Sequence, residues 1–339
     1  MRKTEGFGAA LLAWYDTHAR VLPWRAQPGE NRRADPYHVL LSEVMLQQTT
    51  VAVVEKRFPQ FLDQFPDLKT LAEAPEADVM AAWAGLGYYR RARSLHACAK
   101  ALMAQHGGVF PQDEKALKAL PGIGDYTSAA ISAIAFGEPA VVVDGNIERV
   151  VTRVARVTDE MPGAKKLIKG EAAKLMPDAR FGDYAQAMMD LGARVCRPKA
   201  PDCLLCPVRS YCAVAGSAEA ESLPRKAHKR KRKTVQGVMI VLRREDGAVL
   251  CEERPADGLF GGMLGLPGGG WDGRAVPEVA ATLRDAGGVT HILTHRRLEI
   301  DVKTGPTDGS PGDGVWMQPD EARAAMPTLF VKALERALS

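Results

Sequence analysis

Leu120-Pro121-Gly122-Ile123-Gly124 opens a run of good helix formers from Tyr126 to Phe136. After Gly137 and Pro139, the apolar run Ala140-Val141-Val142-Val143 delivers Asp144 beside Gly145 and Asn146. Pro121 and the two glycines suit a tight hairpin between helices, because glycine tolerates positive φ and lets a backbone approach a ligand closely. The amides of Gly122 to Asp125 then cap the next helix, and bare amides at a helix N-terminus bind phosphate oxygens without reading base sequence. An ordinary helix–helix connection uses the same residue types. The carboxylate of Asp144, following on the same segment, tips the balance toward a DNA-backbone clamp with an acid behind it.

Upstream, apolar residues recur at Phe7, Leu11, Trp14 and Tyr15, so a first helix near Phe7 to Ala19 buries one face. Leu22-Pro23-Trp24-Arg25 closes it, and residues 26 to 35 read as a polar loop. From Pro36 a helix carries Tyr37 through Thr49, and Glu43 interrupts its almost continuously apolar course. A carboxyl group there loses solvation when ionised, which raises its pKa and suits it to donate a proton near neutrality. A buried acid paired with an arginine is the competing reading. Two helices follow, about Thr50 to Gln64 and Glu76 to Trp83. Gly85-Leu86-Gly87-Tyr88-Tyr89-Arg90-Arg91-Ala92-Arg93 then suits a loop that pushes a wedge into a base stack while its arginines meet phosphates. The first turn of an ordinary surface helix is the alternative.

Beyond Asp144, helices at about Ile147 to Arg156, Ala164 to Met176 and Phe181 to Leu191 complete a helical body. Four of the chain's six cysteines then appear as Cys196-x6-Cys203-x2-Cys206-x5-Cys212. Such packing indicates metal or cluster ligation rather than disulfides, and four thiolates suit either zinc or iron–sulfur. Cys98 and Cys251 read as plain core residues.

From Gly216 to Thr234 the composition turns small, then acidic, then basic. Arg225, Lys226 and Lys229 to Lys233 place seven positive charges within nine residues, and without them the net charge of +4 becomes −3. This reads as a solvated linker that can also track phosphates. Past it the period turns extended: Val238 to Leu242, a turn at Glu245-Asp246-Gly247, then Val249 to Cys251. The glycine-rich stretch Gly258 to Gly269 follows, with helices expected near Val276 to Asp285 and Pro319 to Ala325. The expected organisation is a helical region over 1–216, a basic linker over 217–234 and a mixed α/β domain over 235–339.

A length of 339 residues suits two domains, and 46% apolar with 25% charged residues argues against global disorder. With no signal-like N-terminus and no apolar run near the roughly 20 residues that span a bilayer, a cytoplasmic, nucleoid-associated monomer without membrane attachment is expected.

Leu-Pro-Gly-Ile-Gly followed by Val-Val-Asp144-Gly-Asn146 resembles the helix-hairpin-helix superfamily of DNA glycosylases, in which the aspartate sits at the deglycosylation site. Lyase-competent members carry a lysine two residues after the second glycine; this chain has Tyr126, which points to a monofunctional enzyme of the adenine DNA glycosylase family. Ser-Glu43-Val-Met-Leu-Gln-Gln-Thr is similar to the segment in which that family holds its catalytic glutamate. The resemblance implies that Asn146 and Tyr126 orient Asp144, and that Arg25, Gln48, Thr49, Leu86, Tyr88, Gly122 and Gly124 meet DNA, with Tyr88 intercalating. It also implies a [4Fe-4S] cluster on Cys196, Cys203, Cys206 and Cys212. The partner implied is double-stranded DNA with adenine opposite 8-oxoguanine or guanine.

The last hundred residues resemble the Nudix-like domain of the same family. The segment Ala275 to Asp285 lacks the glutamate cluster that would hold magnesium around a diphosphate, so nucleotide hydrolysis is not expected. His291 to Leu298 resembles the loop that senses 8-oxoguanine, with Thr294 and His295 as its hydrogen-bonding pair and Leu293 where an aromatic is usual. A pyrimidine-lesion glycosylase on the same scaffold and a non-catalytic DNA-binding iron–sulfur protein are the competing readings.

Overall fold

The computed structural model describes residues 6–30, 33–227, 232–255, 257–293, 295–307 and 314–339. The chain divides into two compact units, Met1–His228 and Lys229–Ser339.

The first unit is helical, and aspartates start several of its helices. Asp35 caps the helix Pro36–Leu46 by accepting from the Tyr37 and His38 amides, with proline at the first helical position. Asp67, Asp113 and Asp144 cap Leu68–Glu73, Glu114–Lys118 and Gly145–Ala155 in the same way. Two cores form. One holds Leu40, Leu41, Met45, Phe58, Phe61, Trp83, Leu95 and Cys98, from helices Pro36–Leu46, Val51–Gln64 and Arg90–His106 and the turns between them. The other holds Phe7, Leu11, Tyr15, Ile147, Val150, Val151, Ala187 and Met188, so the first helix, Phe7–His18, joins the later half of the unit.

The segment from the hairpin to Phe136 lies between these cores. Its helix, Asp125–Ile131, continues as a π-helical turn, Ser132–Phe136. Ile131 and Ala135 face the first core, while Ala129, Ala130 and Ala133 face the second. Small residues at 129, 130 and 133 allow close approach to the second core.

Residues 217–227 belong to the first unit. Ala220 and Leu223 are buried with Val214, and the Met161 amide donates to the Arg225 carbonyl at 2.9 Å. Lys229 to Lys231 of the basic run fall outside the described residues.

The second unit is a mixed sheet with helices on one face. Its strands are β1 (Lys233–Arg243), β2 (Val249–Glu253), β3 (Leu264–Gly265), β4 (Gly268–Gly269), β5 (Arg284–Ile292), β6 (Arg296–Pro306) and β7 (Val315–Met317). The order is β3-β2-β1-β6-β5, with β4 also on β1 and β7 on β2; β1 and β6 run parallel. Met239, Val241 and Cys251 face Leu329, Phe330, Ala333 and Leu334 of the helix Thr328–Leu338. Cys98 and Cys251 are both core residues, as expected.

The helix Pro319–Ala325 forms where it was anticipated, but the one expected near Val276 to Asp285 does not. Residues 275–283 are coil with a bend at Ala280 and Ala281, and β5 begins at Arg284. Val279, Ala281 and Leu283 alternate onto Ile240, Leu242 and Leu250, the opposite face of the sheet. A period of two, with Pro277 near its start, explains why no helix forms there.

Candidate active site

A cleft of about 550 Å³ opens in the first unit, lined among others by Arg20, Arg25, Glu43, Gln47, Thr49, Tyr126, Asp144, Asn146, Glu148, Lys165 and Gln186. Glu43, Asp144, Asn146 and Tyr126, each proposed from sequence, therefore meet in one cavity.

Glu43 sits in the penultimate turn of the helix Pro36–Leu46, with Val39 to Met45 all buried around it. It is 7% exposed, and burial pushes its pKa up to about 7. The Tyr126 hydroxyl, donating to Glu43 Oε2 at 2.6 Å, opposes that rise, as does the Arg25 charge, while the Asp144 charge adds to it. Asp144 is the N-cap of Gly145–Ala155: Oδ1 accepts from the Ile147 amide at 2.7 Å and Oδ2 from Asn146 Nδ2 at 3.0 Å. Burial raises its pKa, and those hydrogen bonds oppose the shift by favouring the carboxylate. Two acids thus share one cleft with different surroundings, an environment that separates a proton donor from an anion.

The geometry corrects two roles expected of this group. Tyr126 is bonded to Glu43 and not to Asp144, so Asn146 and the Ile147 amide, not Tyr126, orient the aspartate. Arg25 is turned inward: its Nη1 donates to both oxygens of Asp190 at 3.0 and 2.9 Å, and its side chain is nearly buried. Asp190 is fully buried and also accepts from Arg20, so the Arg25 charge is committed to a buried carboxylate rather than free for a phosphate.

Asp190 and Gln186 are residues at this site that sequence reasoning passed over. Gln186 is buried at the cleft wall, and its Oε1 has no partner. Asp190 follows Ala187-Met188-Met189, so it shows the sign that singled out Glu43, a charge inside an apolar run. Arg149 is a third. It donates to Asn146 Oδ1 at 3.0 Å and to the Cys196 carbonyl at 2.8 Å, joining the aspartate's orienting partner to the cysteine loop.

A second groove, of about 330 Å³, is lined by Gln47, Gln48, Tyr88, Arg90, Arg91, Ser94, Pro121 and Gly122 among others. It brings together Gln48, Tyr88 and Gly122, which the resemblance places on DNA, and two of the arginines expected to meet phosphates. Gly122 has φ +74°, and a Cβ there would stand 2.6 Å from the Ser94 Cβ, so both backbone and packing demand glycine. A Cβ on Gly124 would meet open space. Tyr88 is 61% exposed with φ +50°, and Gln48 is exposed with φ +59°. Thr49 lies in the cleft wall and accepts from Arg91. Leu86 does not reach this surface; it is buried in the first core, which corrects its assignment. The helix Arg90–His106 starts inside the stretch expected to be loop.

Cys196, Cys203, Cys206 and Cys212 line one cavity together with Val150, Arg153, Leu191, Val208 and Val214. Among the described residues, no three His, Cys, Asp or Glu side chains stand close enough to hold a single metal ion. Arg153 is buried, and its guanidinium donates to the Arg197 and Pro198 carbonyls and to Cys196 Sγ at 3.2 Å. A buried cation whose bonds go to carbonyls and one sulfur matches a negatively charged group held by the thiolates. Backbone amides of Val208 and Val214 also hydrogen-bond to Cys206 and Cys212.

In the second unit, His295 is exposed at the bend between β5 and β6, where the Leu293 amide donates to the Arg296 carbonyl at 2.9 Å. Leu293 packs half-buried on the core, and Thr294 lies outside the described residues.

Residues 41–177 match the family model of the HhH-GPD superfamily of base excision DNA repair proteins, and residues 238–336 match that of the NUDIX domain. The chain is 32% identical to the adenine DNA glycosylase of Homo sapiens over 97% of this chain and 73% of that one. It is 40% identical to the adenine DNA glycosylase of Mycolicibacterium smegmatis over 60% of this chain and 67% of that one. Among solved structures it resembles a thermostable thymine-DNA glycosylase, with a TM-score of 0.55 and 29% identity over 62% of this chain and 95% of the other. Endonuclease III bound to DNA shares the fold, with a TM-score of 0.52 at 23% identity over 63% of this chain and 96% of the other. On its helical body, its second domain and its length-spanning relatives, the chain belongs to the adenine DNA glycosylase family of base excision DNA repair.

Proposed function

We propose that this protein hydrolyses the N-glycosidic bond of adenine mispaired with 8-oxoguanine or guanine in double-stranded DNA, leaving an abasic site and an uncut strand. The observation that carries this is one cleft holding Glu43, with a pKa near 7, beside Asp144, held by two hydrogen bonds as a carboxylate.

Base stacking hides the target, so the adenine must be flipped from the duplex at a cost of a few kcal/mol. Protonated Glu43 donates to the flipped base, making it a better leaving group, and afterwards accepts a proton from the attacking water. Asp144 stabilises the oxocarbenium-like sugar, by the two-carboxylate logic of glycoside hydrolysis. Tyr126 stands where a lyase would need an amine, so no Schiff base forms there.

Gln48, Thr49, Tyr88, Gly122 and Gly124 form the DNA face of the first unit, with Tyr88 as the wedge and the hairpin amides on phosphate. Cys196, Cys203, Cys206 and Cys212 hold a [4Fe-4S] cluster that ties the loop bearing Arg194, Arg197, Lys199 and Arg209 near the DNA backbone. Thr294 and His295 read the base opposite adenine, from a domain spanning 235–339 that follows the helical region 1–216 and a linker over 217–234. The protein acts as a monomer on chromosomal DNA in the cytoplasm.

Single-turnover assays on duplexes with adenine opposite 8-oxoguanine, adenine opposite guanine, and thymine glycol test this reading. Adenine release from the first two is expected; activity confined to the third identifies a pyrimidine-lesion enzyme and overturns it.

A further inference from the structure

Arg91 occupies an unusual position in the first unit. The sequence suggests a phosphate-binding arginine, yet its guanidinium is held within the fold. Nη1 donates to the carbonyls of Val44 at 2.7 Å and Met45 at 3.0 Å, and Nη2 to those of Leu86 at 2.9 Å and Gly87 at 3.1 Å. Nη2 also approaches Thr49 Oγ1 at 3.3 Å. The guanidinium lies 5.4 Å from the Trp83 ring centroid and 5.7 Å from that of Tyr88.

Two features make these partners more than a local tie. Val44 and Met45 are in the last turn of the helix that carries Glu43, where carbonyls lack intrahelical partners and a cation is favoured. Leu86 and Gly87 form the turn that presents Tyr88, whose left-handed backbone is costly for a non-glycine residue and needs support from its surroundings. One planar fork thus bridges the C-terminal end of the catalytic helix and the root of the exposed aromatic wedge. A lysine has a single nitrogen and cannot span both sides at once.

We infer that Arg91 is a positioning residue that couples insertion of Tyr88 into the duplex to the placement of Glu43 beside the flipped base. This inference rests on the adenine-excision reading above. When Tyr88 is pushed by stacked bases, the turn 86–88 and the helix end move as one body, because both are bonded to the same guanidinium. Misplacing a catalytic group by about 1 Å can cost on the order of 100-fold in rate, so the coupling acts on the chemical step rather than on affinity.

A double-mutant cycle tests this on the full-length protein. Tyr88→Ala, Arg91→Met and the pair are assayed by single-turnover adenine release from a duplex with adenine opposite 8-oxoguanine. Each single variant is expected to be slower by roughly 10- to 100-fold, and the pair slower than the worse single by no more than about twofold. Arg91→Lys is expected to recover only part of the rate, and it replaces Arg91→Met in the cycle if the latter melts more than a few degrees early. Independent multiplication of the two effects overturns the coupling.

The salt dependence of duplex binding supplies a readout that needs no turnover. With Arg91 engaged inside the fold, the slope of log Kd against log salt is expected to match the wild type in Arg91→Met. A slope reduced by about one phosphate contact identifies Arg91 as an ordinary backbone-binding arginine and overturns the inference. A wild-type protein that releases no adenine from any duplex overturns the excision reading instead, leaving the salt slope to judge Arg91.

Discussion

Replacing Glu43 by glutamine is expected to stabilise the protein at alkaline pH while abolishing adenine release. The magnitude follows from the pKa. Burial raises the Glu43 carboxyl from 4.5 to about 7, so between those values the folded state holds a proton that the unfolded state has lost. Stability from this group is therefore full below pH 4.5 and falls as pH rises through 7. At about 1.36 kcal/mol per unit, the loss approaches roughly 3 kcal/mol by pH 8. Glutamine has the same shape, stays neutral, and keeps an oxygen to accept from Tyr126. At the usual 2–4 °C per kcal/mol for a unit of this size, Glu43→Gln is expected to melt roughly 6–12 °C higher than wild type at pH 8, with the gap closing toward pH 4.5. Thermal unfolding at half-unit pH intervals, alongside duplex binding and single-turnover release, measures all three quantities. A variant that melts with or below wild type at pH 8, or a gap independent of pH, refutes the assignment of Glu43 as a buried acid held protonated near neutrality.

Adenine release by the wild type is expected to fall as pH rises past about 7, where Glu43 loses its proton; in Tyr126→Phe, which removes a bond favouring the carboxylate, the alkaline limb of the pH–rate profile should move upward. Asp144→Asn keeps an N-cap of similar strength, so its melting temperature should stay near that of wild type while single-turnover release is lost with duplex binding retained. Arg25→Met leaves Asp190 buried with Arg20 as its remaining ion pair, and a loss of about 3 kcal/mol in denaturant-derived stability is expected. Elemental analysis of anaerobically purified protein should find iron and acid-labile sulfide at about four each per chain; zinc alone excludes the cluster.

Of the four cleft residues singled out, Glu43 and Asp144 are marked by their local sequence, while Tyr126 and Asn146 were marked by the resemblance. Glu43 breaks an apolar helix, Asp144 follows an apolar run beside a helix start, and Tyr126 sits two residues past the hairpin. Partnerships were not readable, since they join distant positions. Arg25 resembles a DNA contact until Asp190, 165 residues later, is seen to hold it. Leu86 failed for a different reason: Gly85 and Gly87 both adopt positive φ and turn the chain twice, so the leucine points inward while the neighbouring tyrosine points out. In the second unit, the alternation of Val279, Ala281 and Leu283 was present in the sequence, and expecting a helix there overlooked a period of two.

The two acids belong to different cores. Glu43 stands on a helix anchored in the first, through Leu40, Leu41 and Met45; Asp144 starts a helix anchored in the second, through Ile147, Val150 and Val151. Tyr126 comes from the hairpin helix that both cores share, and its hydroxyl reaches the acid of the first. Asp144 is instead tied to its own core by Asn146, which Arg149 holds in turn. The hairpin thus reaches the Glu43 side of the cleft, with Gly122 packed on Ser94 at one end and Tyr126 on Glu43 at the other. Because a packed core does not deform continuously, changes in the spacing of the acids fall on the seam between cores. That seam runs along the small residues Ala129, Ala130 and Ala133, so enlarging Ala130 to valine should slow adenine release in single-turnover assays by more than it weakens duplex binding. Equal losses in both would place the effect in general destabilisation of the fold.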